Sequence, residues 1–125
     1  MTFFFDHNMP PAVAEALGCL GISAVALRDE FLPNTADEEW MPAVGKLGYV
    51  IVTRDRNIHK RVAQRQLYKQ LNLKGLFLGP AFAKMKLRDL AKWLLWRWED
   101  IEETMAAAKP GEAFLLQQRG RFQKL

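Results

Sequence analysis

Three aspartates, Asp6, Asp37 and Asp55, have the residue type and the placement in the chain to bind a divalent metal ion. Asp6 directly follows the apolar run Phe3–Phe5, and Asp55 comes just after a second apolar run at 49–53. Short uninterrupted apolar runs are typical of strands that are buried on both faces of a parallel sheet. Ligands bind at the carboxyl ends of such strands, so we expect these two acids to meet at one sheet edge.

The helical phase of Asp37 differs from that of the neighbouring acid Glu38. Thr35 and Glu38 have the spacing of a capping box, which gives Glu38 a structural explanation at the start of a helix. Asp37 instead lies on one stripe with Met41 and Val44, which is predicted to face inward. An acid on such a stripe needs a partner or an ion, because burying an unpaired charge is costly. We therefore predict Asp37 as the third carboxylate, with a first-turn contact to the helix dipole as the alternative.

Carboxylates at such a site favour hydrolysis of a phosphodiester. Ligands that are all oxygen select hard cations such as Mg²⁺ or Mn²⁺ rather than zinc. Such ions generate hydroxide from bound water and neutralise charge that builds up on phosphate, so no serine, cysteine or histidine nucleophile is needed. The same three aspartates are thus the predicted metal ligands and the predicted catalytic residues. The alternative for Asp6 and Asp55 is capping of the helix that follows each of them.

Polar neighbours of these acids could assist the site. The accessory candidates are Asn8, Glu38, Thr53 and Asn57. His7 and His59 flank the predicted site and could touch phosphate or relay a proton, but an ordinary surface or half-buried histidine is the favoured interpretation of each.

Basic residues are concentrated around and after Asp55. The chain has 18 basic and 14 acidic residues, a formal net charge of +4, which is mild but has the right sign for binding nucleic acid. A solvated helix face is the alternative, and proximity to the acid favours phosphate binding. The predicted phosphate-binding residues are Arg54, Arg56, Lys60, Arg61 and Arg65.

The elements that would position these residues alternate between strand and helix. Strands are predicted at 3–5, 23–27, 49–53, 74–78 and 112–116, and helices at 10–20, 36–47, 57–71 and 87–107. This alternation predicts an α/β fold, a three-layer α/β/α sandwich with a mainly parallel central sheet. Residues 1–118 are expected to form a single domain, and residues 119–125 a basic C-terminal tail.

The composition narrows the class of protein. At 125 residues and 50% apolar, the chain is long enough for one domain with a full core. No apolar stretch approaches the roughly 20 residues of a membrane span, and no signal-peptide pattern precedes the first strand, so we expect a soluble, cytoplasmic protein. Cys19 is the only cysteine, which excludes an internal disulfide and a cysteine zinc cluster. Its thiol is expected to be buried.

Three segments together resemble the PIN-like nuclease superfamily, most closely the small prokaryotic PIN-like domains that include VapC-type toxins. They are 4–10 (an apolar strand, Asp, any residue, Asn, any residue, Pro), 36–40 and 50–55, and they cover about the first 60 residues in the correct order. The resemblance implies a compact α/β/α fold and Mg²⁺- or Mn²⁺-dependent cleavage of RNA. It also implies that Asp6, Asp37 and Asp55 are the acidic ligands.

In the toxin branch, the resemblance further implies the toxin of a type II toxin–antitoxin pair, inhibited by an antitoxin protein. Many members have another acid shortly after the position of Asp55, where this chain has Arg56 and Asn57. The alternative is therefore a catalytically weak or inactive PIN-like module that binds RNA or a protein.

The predicted long helix, 87–107, has one regular apolar stripe, which is expected to pack in the core. Trp96 points nearly opposite to that stripe. It is predicted either to be covered by the C-terminal segment or to lie at an interface, with a second copy of the chain or with a partner protein.

Overall fold

A six-stranded sheet organises the chain in the computed structural model, which describes residues 1–54 and 65–125. The strands are β1 (Phe3–Phe5), β2 (Ala24–Ala26), β3 (Val50–Arg54), β4 (Lys74–Leu78), β5 (Ala113–Leu116) and β6 (Phe122–Lys124). The described helices are α1 (Pro11–Cys19), α2 (Leu27–Glu30), α3 (Asp37–Leu47), α4 (65–70) and α5 (Leu87–Ala107), and a 3₁₀ helix spans Pro80–Lys84.

The spatial order of the strands is β2-β1-β3-β4-β5-β6. The first five are parallel to their neighbours, and β6 pairs antiparallel with β5. The chain crosses from β1 to β2 on one side and later returns to place β3 on the other side of β1. This reversal makes the carboxyl ends of β1 and β3 the topological switch point, where open α/β sheets bind ligands.

Helices cover both faces of the sheet, as the strand periodicity of two requires. One core cluster contains Phe3 and Phe5 of β1 and lies under α1 and α5. The other contains Phe4 and Ile51 and packs against the inner face of α3. The predicted α/β/α sandwich with a mainly parallel sheet is confirmed.

Helix α5 has the predicted bounds. Its predicted apolar stripe is buried from Leu90 to Met105, but Leu87, the first residue of that stripe, is 47% exposed. Trp96 is 72% exposed, so the C-terminal segment does not cover its side chain. That segment contacts other residues of the helix: Trp93 Nε1 donates to the carbonyl of Gln118, and Arg97 donates to the carbonyl of Gly120. The homodimer through 87–107 stays a prediction.

Two local predictions about the ends of elements are wrong. The strand predicted at 23–27 ends at Ala26, and Leu27 begins the short helix α2. The capping box does not form, because Ala36 is the N-cap of α3 and makes no side-chain cap bond. Thr35 lies one residue too early for capping. Its hydroxyl donates instead to the carbonyl of Leu32, at 2.6 Å, and closes the preceding turn.

The thiol of Cys19 is exposed, so the predicted burial is wrong. Cys19 is the last residue of α1, which turns its inner face to the sheet through Val13, Ala14 and Leu17. At the other end of the chain, the segment 119–125 includes β6, which extends the sheet. Of the predicted basic helix 57–71, residues 57–64 lie outside the described residues. Within residues 1–54 and 65–125, no helix has the length and apolar character that a bilayer crossing requires.

Candidate metal centre

Asp6 lies at the carboxyl end of β1, where the sequence places it. Its backbone N–H donates to the carbonyl of Val52 at 3.3 Å, so the pairing of β1 with β3 continues as far as Asp6. The side chain accepts a hydrogen bond from the Thr53 hydroxyl and another, at 3.0 Å, from the backbone N–H of Asn8. Asp6 is only 8% exposed. Two donors therefore fix the orientation of a buried carboxylate.

Burial raises the pKa of Asp6 from its ordinary 3.8 to about 6, because the anion loses contact with water. The hydrogen bonds from Thr53 and Asn8 and the positive charge of His7 lower this pKa, and the negative charge of Asp37 raises it. Burial therefore affects the pKa of Asp6 more than the two hydrogen bonds do. A cation bound beside Asp6 would stabilise the charged carboxylate and lower its pKa again, as expected for a carboxylate that binds a metal ion.

Asp37 is the first residue of α3 and is half-buried. Its Oδ1 accepts a hydrogen bond from Trp40 Nε1 at 3.0 Å. The charge of Asp37 acts on both Asp6 and the buried Tyr68, so the two acids share one electrostatic environment. Asp37 lies on the stripe predicted from helical phase. The bond from Trp40 was not predicted, although a spacing of three residues on a helix was the available signal.

Tyr68, on α4, was also missed. It is 2% exposed, and burial together with the charges of Asp6 and Asp37 raises the pKa of its phenol. Its ring packs directly on Gly75 of β4, where an added Cβ would lie 2.5 Å from Tyr68 Cε2. A glycine inside an apolar strand often marks such a close approach, and this was the signal in the sequence.

Arg54 ends β3 and uses its guanidinium group to hold backbone together. Nε donates to the carbonyl of Asn8 at 3.3 Å, and one terminal nitrogen donates to the carbonyls of Phe82 and Met85, at 3.1 and 3.5 Å. These bonds connect the β1–α1 loop to the 3₁₀ helix and its end. Arg54 thus has a structural function that was not predicted from the sequence, and its contact with RNA stays a prediction.

The remaining candidates are surface residues, the buried Thr53, and residues in the segment that the structure does not describe. Glu38, Arg65 and the side chain of Asn8 are exposed. Thr53 is 4% exposed and contacts Asp6, as its place at the end of the strand indicated. The candidates outside the described residues are Asp55, Arg56, Asn57, His59, Lys60 and Arg61.

A cleft of about 540 Å³ opens beside Asp6 and His7. Arg28 of α2 contributes to its wall, and Leu32 and Pro33 border it from the loop before α3. This volume lies within the range of pockets that bind small organic molecules. A group about the size of a nucleotide could therefore reach the Asp6 carboxylate from the β2 side.

The candidate ligands, which are carboxylate oxygens, are of the type that binds a hard cation. In the ranges 1–54 and 65–125, no three His, Cys, Asp or Glu side chains form a group that could hold a metal ion. Asp6 and Asp37 are two oxygen ligands in one electrostatic environment, and Asp55, which follows β3 directly in the chain, is the candidate third. Carboxylates without nitrogen or sulfur donors suit Mg²⁺ or Mn²⁺.

Comparison with known proteins identifies the family of the fold. A family model described as "PIN like domain" matches residues 1–80, nearly two thirds of the chain. No curated protein and no solved structure matches the chain. The matched segment contains the first four strands and therefore Asp6, Asp37 and Thr53. The chain belongs to the PIN-like domain family, whose fold is of the nuclease type.

Proposed function

We propose that this protein is a hydrolase, an endoribonuclease that depends on Mg²⁺ or Mn²⁺ and cuts RNA phosphodiester bonds. The observation that carries the proposal is the Asp6 carboxylate. It is buried at the switch point of the sheet, held by two donors, close enough to Asp37 for the two charges to interact, and open to a cleft. Burying a carboxylate next to a second acid is costly, and a bound cation would offset this cost.

A purely structural function explains Asp6 less well. The N-cap of α1 is Pro10, and no side chain caps that helix, so Asp6 does not serve as its cap. Among the residues that the structure describes, no salt bridge pairs Asp6 with a basic side chain. The hydrogen bonds from Thr53 and Asn8 orient the carboxylate without neutralising it.

In this proposal, Asp6, Asp37 and Asp55 hold the metal ion. When bound, Mg²⁺ or Mn²⁺ supplies an activated water and offsets the charge that develops on the phosphodiester. Thr53 orients Asp6, and Trp40 orients Asp37 through its indole N–H. His7, which lines the cleft and is exposed, would contact a substrate phosphate. The RNA backbone would be bound by the basic residues Arg54, Arg56, Lys60, Arg61 and Arg65.

We further propose that the protein is the toxin of a type II toxin–antitoxin pair, which acts in the cytoplasm and is inhibited by an antitoxin protein. Its support is the resemblance of the segments 4–10, 36–40 and 50–55 to the small prokaryotic PIN-like domains that include VapC-type toxins. A second candidate function is a PIN-like module that binds RNA or protein without cutting it. It is favoured by Arg56 and Asn57, which stand where many family members have a further acid.

The test is RNA cleavage with added Mg²⁺ or Mn²⁺. We expect wild type to cut RNA, and Asp6→Asn, Asp37→Asn and Asp55→Asn to lose nearly all of that activity while keeping the circular dichroism spectrum of the wild type. Glu102→Gln, which removes an exposed acid of α5, is the matched control and should cut normally. Equal cleavage by the three aspartate variants would refute the proposal. RNA binding by wild type without any cleavage would favour the binding module.

A further inference from the structure

The segment after β4 brings a second group of basic residues to the sheet edge that carries Asp6. Residues 80–92 contain four basic residues and one acid, Asp89. Three of the basic side chains, those of Lys84, Lys86 and Arg88, lie within five consecutive positions and are exposed. We call this group the 84–88 rim. Such a local excess of positive charge attracts polyanions.

Strand order places the rim close to Asp6. Strand β3 separates β1 from β4, so the ends of β1 and β4 are two strand spacings apart, about 10 Å. Both strands are parallel to β3, so Asp6 and the segment after β4 emerge at the same edge. The rim is therefore on the β4 side of Asp6, and the cleft with Arg28 is on the β2 side.

Arg54 connects the rim to the β1–α1 loop. Its guanidinium group bonds to the carbonyl of Asn8 and to that of Met85, which lies between Lys84 and Lys86 in the chain. The backbone N–H of the same Asn8 donates to the Asp6 carboxylate. A short run of hydrogen bonds thus connects the backbone of the rim, at Met85, to Asp6, and this holds that part of the chain beside the site.

From this arrangement, we propose that Lys84, Lys86 and Arg88 bind backbone phosphates of single-stranded RNA that crosses the sheet edge over Asp6. The inference rests on the proposed function and extends it, because it assigns a substrate-binding surface outside the segment that the family model matches. Sequence-independent binding of this kind is dominated by the release of counterions from phosphates. The rim would hold the strand on one side of Asp6 while the cleft receives it on the other.

The test measures the affinity of a fluorescein-labelled single-stranded RNA of about 16 nucleotides, a length that covers a site of this kind. All proteins carry Asp6→Asn, so that the RNA stays intact. The rim variant is Lys84→Gln/Lys86→Gln. The control is Lys46→Gln/Lys109→Gln, which removes the same charge from two exposed lysines that precede β3 and β5 at the opposite edge. Fluorescence anisotropy is recorded over a series of salt concentrations.

We expect the rim variant to bind on the order of tenfold more weakly than the control near 0.1 M salt. We also expect the slope of log K against log salt to fall in magnitude by about 1.4, since each lost phosphate contact on a single strand removes about 0.7. Lys84→Arg/Lys86→Arg should restore both values. Equal affinity and slope in the rim variant and the control would overturn the inference, and so would the absence of RNA binding.

These results separate the inference from the proposed function. A reduced slope in the rim variant, together with no cleavage by wild type, would support the RNA-binding rim and refute the nuclease. Metal-dependent cleavage by wild type, with an unchanged KM when Lys84→Gln/Lys86→Gln is made in the wild-type background, would support the nuclease and refute the rim. Thermal unfolding of the two double variants should match that of their parent, because the replaced side chains are exposed.

Discussion

Asp6 is a buried acid whose anion is supported by two hydrogen bonds and is still disfavoured by burial. Its pKa in the folded protein, about 6, lies above the ordinary 3.8, so the folded state binds the proton more tightly than the unfolded state does. The resulting stabilisation is fully present below about 3.8 and is lost as the pH rises through about 6. Without metal, the ionised site should therefore cost stability at neutral pH.

The first prediction concerns Asp6→Asn in the presence of EDTA. Between pH 4 and pH 8, the free energy of unfolding of wild type should fall relative to that of the variant by on the order of 3 kcal/mol, since one pKa unit corresponds to about 1.4 kcal/mol. Urea unfolding at several pH values measures this difference. A difference that stays constant with pH would mean that Asp6 is not held in the environment described.

The second prediction concerns the residue that orients Asp37. Trp40→Phe removes the indole N–H that donates to Asp37 Oδ1 and keeps an aromatic ring in the core. Loss of such a supporting bond typically weakens metal binding 10–100-fold, and we expect a decrease of about this size in Mn²⁺ affinity by calorimetry. Trp93→Phe is the control, because it also removes an indole bond, to Gln118, but away from the two acids. Unchanged Mn²⁺ affinity in Trp40→Phe would contradict this function of Trp40.

The sequence was sufficient to place Asp6 and Thr53 together, because both end buried parallel strands that proved to be neighbours. The bond from Trp40 to Asp37 joins residues three apart on one helix, so the sequence contained a signal for it. The bonds from Arg54 to three carbonyls had no such signal, because they depend on the side-chain rotamer and on loops that are far apart in sequence. A basic residue next to an acid can therefore either bind phosphate or donate hydrogen bonds to backbone carbonyls, and composition alone does not distinguish the two.

At the scale of elements, the packing of α4 on β4 gives a third prediction. Gly75→Ala would place a Cβ 2.5 Å from the buried ring of Tyr68, so one of the two must shift. Overpacking of this kind costs about 1–3 kcal/mol of unfolding free energy. Gly18→Ala is the matched control in α1, where no atom lies within 4 Å of an added Cβ, and it should be neutral or slightly stabilising. Equal stability of the two variants would show that the close approach is absent.

The connection made by Arg54 between elements gives a fourth prediction. Arg54→Gln removes the side-chain donor to the carbonyls of Asn8, Phe82 and Met85 and should lower the unfolding free energy by about 1–3 kcal/mol, although the Phe82 carbonyl still accepts from the backbone N–H of Met85. Arg119→Gln, which removes a bond to the side chain of Gln117 on the surface, should change it by less than about 0.5 kcal/mol. Urea unfolding compares the two. A cost no larger than that of Arg119→Gln would argue against the bridging function.

Long, regular patterns were predicted best among the elements. The bounds of β4 and α5 agree with the structure because each has a clear apolar pattern and is followed by a clear stop. Gly79-Pro80 follow β4, and Pro110-Gly111 follow α5. The short helix α2 and the edge strand β6 were missed, since their sequences, unlike the three phenylalanines of β1, are not uninterrupted apolar runs. Their existence is decided by tertiary pairing.

At the scale of the whole molecule, the sheet brings three kinds of surface to one edge. Asp6 and Asp37 lie at the switch point, the cleft opens on the β2 side, and the 84–88 rim lies on the β4 side. The part of the chain that the family model matches ends at residue 80. Helix α5 and strand β5, which lie beyond it, complete the core cluster that supports β1. The C-terminal part of the chain is therefore needed to hold the candidate site in shape.

The most direct test of the central claim is the anomalous scattering of Mn²⁺ in crystals of the protein. We predict an ion coordinated by the carboxylates of Asp6 and Asp37, at the roughly 2.0–2.6 Å typical of hard cations and oxygen ligands. Asp6→Asn crystals grown in the same way should lack it. Wild-type crystals with no ion between these two residues, and with their carboxylates turned away from each other, would contradict the account.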